Sequence, residues 1–135
     1  MPRSNQISYI AGGTIGCAVF VKQSTAADET VLLAGSGDTP IGISQEGQRL
    51  PPGVTGSDTT IAALAGQTLC VYQEDDDCML QSATGWTHGD YLKPDASGFG
   101  VTASSTNVVG AKALTTVASG GKGRVKILPP GSKMP

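Results

Sequence analysis

Residues Pro40-Ile41-Gly42-Ile43-Ser44 decide how the rest of the chain is read, because Val108-Val109-Gly110-Ala111-Lys112 repeats their character. Both are short β-prone segments centred on glycine. A glycine inside a strand marks a bulge or the close approach of another backbone. Working outward, the first segment ends a unit that runs Ala18-Val19-Phe20-Val21-Lys22, a polar turn, Glu29-Thr30-Val31-Leu32-Leu33, a Gly-rich turn, then Ile41-Gly42-Ile43. The second ends a unit that runs Gly89-Asp90-Tyr91-Leu92-Lys93, a turn from Pro94 to Gly98, Phe99-Gly100-Val101-Thr102, then Val109-Gly110-Ala111. The shared order is strand, lysine, polar turn, strand, loop, aliphatic-glycine strand. It reads either as one β unit used twice to curl a sheet or as two ordinary hairpins.

The remaining segments keep to short strands and turns. Thr14 to Val21 is apolar and β-branched enough for one buried strand, and Val31 to Ala34 for another. Ile61-Ala62-Ala63-Leu64-Ala65 reads as a strand or a short helix ended by Gly66. Thr68 to Tyr72 and Cys78 to Gln81 read as the two arms of a hairpin whose tip is Glu74-Asp75-Asp76-Asp77. Gly123-Arg124-Val125-Lys126-Ile127-Leu128 alternates basic and aliphatic residues, as a half-buried strand does. No segment holds a 3.6-residue period, and short strands with frequent turns argue for an all-β fold, a barrel or a sandwich, with an extended N-terminal arm and long loops.

At 135 residues one domain is expected, with an arm at 1–11, a β-rich core at 12–128 and a tail at 129–135. With 19 glycines and 8 prolines, a fifth of the chain, turns are frequent; charged residues are only 15% and the net charge is -2. That balance gives no electrostatic footprint for nucleic acid and no polybasic membrane anchor. No apolar run reaches the roughly 18 residues of a spanning helix. The first residues lack the apolar core of a secretory signal, so cytoplasmic synthesis is expected. Cys17, Cys70 and Cys78 have no metal-ligand spacing and read as reduced thiols, although Cys70 and Cys78 could face each other across the hairpin.

Chemistry-bearing patterns are sparse. The single histidine, His88, sits in a Gly-rich turn two residues from Asp90, with no nucleophile signature beside it. The Glu74–Asp77 run lacks the alternating spacing and central glycine of a calcium loop and reads as solvated, or as a dock for a basic patch. Ala11-Gly12-Gly13-Thr14-Ile15-Gly16 lacks the Gly-Lys-Ser/Thr ending of a phosphate loop. The residues therefore support no catalytic, cofactor-binding or metal site. The passage from Gln45 to Thr59, with Pro51-Pro52-Gly53, is long for a compact domain and reads as a contact loop or a plain crossover.

The pattern resembles small phage capsid decoration proteins, also called cement or head-stabilising proteins. The pieces that carry the resemblance are the two aliphatic-glycine segments, Trp86-x-x-Gly89-Asp90-Tyr91-Leu92, and the ending Gly123 to Leu128. It covers about residues 14 to 128. It implies a small β-barrel or β-tulip-like domain acting as a structural virion protein on the outer surface of a capsid, made in the host cytoplasm, trimeric at capsomer junctions, with the major capsid protein as partner. On that reading, Pro2, Arg3, Ser4, Asn5, Gln6 and Ile7 of the arm and Arg49, Pro51 and Pro52 of the loop contact capsid subunits. Two alternatives stand beside it: another β-rich virion part, such as a head-fibre base or tail component, and a small carbohydrate- or ligand-binding β module.

Overall fold

The computed structural model describes residues 7–25, 28–45, 61–74, 76–104, 107–129 and 131–133. All twelve elements among them are strands: β1 (Ile7–Ala11), β2 (Ile15–Gly16), β3 (Phe20–Gln23), β4 (Thr30–Leu33), β5 (Gly42–Ser44), β6 (Ile61–Ala63), β7 (Thr68–Tyr72), β8 (Asp77–Gln81), β9 (Tyr91–Pro94), β10 (Gly100–Thr102), β11 (Ala111–Ala113) and β12 (Lys122–Ile127). Strands β1-β4-β3-β5-β7 close into a barrel, β10-β9-β11-β12-β8 form a second five-stranded sheet, and β2 pairs with β6.

The two five-stranded assemblies are the same structure built twice, which decides between the two readings of the repeat. Their ladders match residue for residue. Ile10 faces Thr68 as Gln81 faces Lys122. Val21 faces Leu33 as Leu92 faces Thr102, and Phe20 faces Ile43 as Tyr91 faces Lys112. Ser44 faces Val71 as Ala113 faces Val125. The parallel contact that closes the barrel, Ala11 with Val31, recurs as a single parallel bridge between Ser82 and Gly100. Even the β2–β6 contact of Ile15 with Ala63 recurs, as the bridge between Trp86 and Val117.

This register corrects the match drawn from the sequence by one position. Gly42 stands where Ala111 does, because each lies beside the partner of Phe20 or Tyr91 on its ladder; Gly110 therefore corresponds to Ile41. A one-residue slip turns a side chain to the other face of a sheet, so the two glycines serve different contacts. A Cβ on Gly42 would strike the Tyr72 carbonyl oxygen, whereas one on Gly110 would lie 2.6 Å from both the Phe20 ring and the Pro40 ring.

Each unit has its own core. The barrel encloses Ala11, Val21, Val31, Leu69 and Val71, with Ile15, Ala62 and Ala63 of the β2–β6 pair in the same cluster. The second sheet covers Leu80, Leu92, Ala111, Val125 and Ile127, and this cluster also takes in Phe20 and Ile43 from the outer face of the barrel. The barrel therefore forms part of the second unit's core.

Four further expectations change. Thr14 to Val21 is not one strand: Ala18 adopts φ 54°, a left-handed conformation, and the chain leaves the ladder between β2 and β3. Strands β7 and β8 are not a hairpin. Both edges of β7 are occupied, by β1 and β5, so β8 has no edge to join there and pairs with β12 in the other sheet. Residues 7–11 of the expected arm are strand β1, with both its edges paired. Residues 131–133 of the expected tail fold back: Lys133 bridges Val108, and Val109 N donates to Ser132 O at 2.8 Å. The open choice for Ile61–Ala65 resolves as the short strand β6. The alternation expected near the C-terminus is present, with Gly123, Val125 and Ile127 buried and Lys122, Arg124 and Lys126 exposed.

Candidate interaction surfaces

The contact between the units is built around the break in the β2–β3 segment. Ser44, fully buried, donates its hydroxyl to Gly16 O at 2.7 Å and accepts from Val19 N at 3.0 Å, which braces the irregular turn. That turn carries residues 18–20 into the second unit. Gln81 N of β8 donates to Ala18 O at 2.7 Å, and Phe20 N donates to Gly98 O, before β10, at 2.9 Å. The first unit thus fills the slot between β8 and β10, the two strands that would otherwise close a second barrel. Unpaired strand groups are costly to leave buried, and here a neighbouring segment satisfies them.

Beside the slot, Phe20, Ile43 and Tyr72 form an apolar stripe across three adjacent strands of the barrel's outer face. Phe20 and Ile43 are fully buried against the second unit. The corresponding stripe on the second unit is Tyr91, Lys112 and Lys126. It is not covered: Lys112 and Lys126 are exposed and Tyr91 half-buried. Lys93 lies two residues along β9 on the same face, and Lys122 and Arg124 alternate with Lys126 on β12. Five of the nine basic residues of a net-acidic chain are therefore gathered on one side of one sheet. Lys112 stands directly opposite Lys126, an unfavourable like-charge pair. Its ammonium lies 5.7 Å from the centre of the Tyr91 ring. Among the described residues the face carries one carboxylate, Asp77, which stands opposite Lys126 and whose Oδ2 is 3.8 Å from Arg124 Nη2. The i, i+2, i+4 spacing of Lys122, Arg124 and Lys126 was visible in the sequence; the convergence of Lys93 and Lys112 with it needed the sheet order.

Pro2, Arg3, Ser4, Asn5, Gln6, Arg49, Pro51 and Pro52 lie outside the described residues. Ile7 opens β1, opposite Val71. The acidic run is not a strand-to-strand tip but the passage between the two units. Asp76 is buried: its N donates to Gln73 O at 3.2 Å, its Oδ2 accepts from Gln73 N at 3.1 Å, and its carbonyl accepts from Ile127 N at 3.0 Å. Among the described residues no group of three or more His, Cys, Asp or Glu is placed to hold a metal ion.

The titratable groups singled out from the sequence have local partners. His88 Nδ1 lies 3.1 Å from Thr116 Oγ1, and Asp90 Oδ2 accepts from Thr87 N at 2.9 Å. None of the three cysteines is in a disulfide. Burial pushes the Cys17 thiol above its ordinary 9.0, against the pull of Lys122. Asp38 is held below the usual carboxylate value by the Gly35 N–H, 2.8 Å from its Oδ2, and by Lys22, whose Nζ is 3.0 Å away.

No family model matches the chain, and no curated protein matches it. Among solved structures, the fold is similar to the crystal structure of the head fiber gp8.5 N base of bacteriophage phi29. That likeness has a TM-score of 0.59 at 14% identity and covers 98% of this chain and 99% of that one. The shared fold extends over both units rather than one.

Proposed function

We propose that this chain is a structural protein of a phage virion, a compact β base seated on the outer surface of the head, and not an enzyme. The observation that carries this reading is the likeness to a head-fibre base along the full length of both chains. A base suits the construction described above. Two β units locked through a shared core make a rigid block, and rigid placement is what an appendage needs at its point of attachment. On this reading the major capsid protein is the partner, copies of the chain associate as a trimer, and residues 2–7 with Arg49, Pro51 and Pro52 make the contacts with the shell.

A narrower role as a cement that clamps the expanded shell rests on the sequence resemblance given above; the whole-chain likeness favours the base. Both roles require binding to heads, and they differ in what binding does. The purified protein is mixed with heads lacking it, before and after expansion, sedimented, and the bound copies counted. Saturable binding at a fixed copy number per head is expected. A base leaves the temperature of DNA release unchanged, whereas a cement raises it. Absence of binding to either head form would refute both roles.

A further inference from the structure

We infer that the outer face of the second sheet, centred on Lys112, Arg124 and Lys126, is a docking surface for a carboxylate-rich protein. The argument starts from the repeat. In the first unit, the stripe at this place is Phe20, Ile43 and Tyr72, and it meets the second unit. In the second unit the same ladder positions hold Tyr91, Lys112 and Lys126, and none of the described residues covers them. The fold therefore uses this face once as a protein interface and presents it a second time, open.

Charge then selects the occupant. Lys112 and Lys126 are directly opposed, which costs stability unless an anion lies between or above them. Lys93, Lys122 and Arg124 extend the positive field, and among the described residues Asp77, opposite Lys126 on the β8 ladder and beside Arg124, is the one carboxylate set against these five cations. Asp77 also shows what this face accepts, since its carboxylate already lies beside the Arg124 guanidinium. A flat array of separated ammonium groups with one guanidinium suits a protein surface bearing spaced carboxylates.

A nucleic acid fits less well. The one aromatic ring on the face, Tyr91, already has Lys112 over it, which leaves no stacking platform for bases.

The test measures binding of a fluorescein-labelled oligoglutamate by anisotropy at low ionic strength. The measurement is repeated with salt raised until the Debye length falls to about 3 Å. Binding that salt abolishes is expected. It should weaken about tenfold or more in the triple variant K112Q/R124Q/K126Q and stay near the parent value in K22Q/K133Q, which removes charge elsewhere. All five positions are at least partly exposed, so urea melts of both variants should lie close to the parent, K22Q/K133Q losing only the part-exposed Lys22–Asp38 pair. No binding to the parent would overturn the proposal. So would losses in the two variants in proportion to the charges removed, three against two, because binding would then follow net charge and not this face. Tighter binding of duplex DNA or of phosphatidylglycerol vesicles through the same three residues would assign the face to a nucleic acid or a membrane. Self-association that vanishes in the triple variant would make it a contact between copies of this chain.

Discussion

Ile43 and Lys112 occupy one position in two copies of the same ladder, so replacing each by alanine compares the two environments directly. Ile43 is fully buried between the barrel and the second unit. Truncating a buried isoleucine to alanine costs about 2–5 kcal/mol, the sum of lost transfer energy and the cavity left behind. Against a total stability of about 5–15 kcal/mol that is a large fraction. For a domain of this size each kcal/mol moves the melting temperature by about 3 °C, so Ile43→Ala should melt about 6–15 °C lower. Lys112→Ala deletes an exposed side chain, its contact with Tyr91 and its repulsion of Lys126; the net change should stay within about 0.5 kcal/mol. Paired urea and thermal melts followed by circular dichroism decide the matter. A loss below about 1 kcal/mol for Ile43→Ala would refute the shared core, because a side chain packed between two units cannot be removed so cheaply. Equal losses at the two positions would refute the claim that one stripe is covered and the other open.

Three further outcomes follow from the geometry. Gly42→Ala should destabilise by about 1–3 kcal/mol or more, because the new Cβ meets the Tyr72 carbonyl oxygen, while Gly13→Ala, whose methyl meets nothing, should be neutral or stabilise by up to about 1 kcal/mol in urea melts. Trp86, the sole tryptophan, is buried in the second unit and donates its Nε1–H to Thr115 O at 2.9 Å. Its fluorescence transition in urea should coincide with the circular dichroism transition, since the second core includes barrel residues; two separated transitions would show that the units unfold independently. The third concerns alkaline pH. Folding holds the Cys17 proton, so stability is intact below the ordinary thiol value of 9.0 and falls as pH rises past it, until the folded thiol also ionises. Cys17→Ala should flatten that decline, and an unchanged slope in melts from pH 8 upward would assign it to other groups.

Strand chemistry was legible locally and pairing was not. The alternation of Gly123 to Leu128 announced both faces of β12, and Thr68 to Tyr72 matched β7 to the residue, because period-2 patterning is a property of the strand itself. The all-β class followed from the turn density. Which strands pair depends on edges that a sequence does not display. Thr68–Tyr72 and Cys78–Gln81 look like a hairpin because a short polar segment joins them, yet closure of the barrel consumes both edges of β7. The repeat was visible as an order of elements, but it was aligned on the wrong glycine. Gly42 and Gly110 resemble each other as residues while standing one rung apart. The break at Ala18 was invisible for a simpler reason: an alanine at positive φ carries no signal of its own, and only the fit of 18–20 into the other unit calls for it.

The break at residues 18–20 also gives the molecule an order of construction. A chain is synthesised from its N-terminus, and domains generally fold as units in that order. Residues 7–72 emerge first and can close a barrel with no free edge, which denies neighbouring nascent chains a strand to pair with. The half that follows has two exposed strand margins, at β8 and β10. These emerge next to a finished template that already displays the Ala18 carbonyl and the Phe20 N–H that will satisfy them. Exchanging the order of the halves by circular permutation, cut in the passage between β7 and β8, would keep the strand pairings of the final structure and would send the unprotected sheet out first. The expected penalty is therefore in yield and aggregation during synthesis, with little change in the melting temperature of the molecules that do fold.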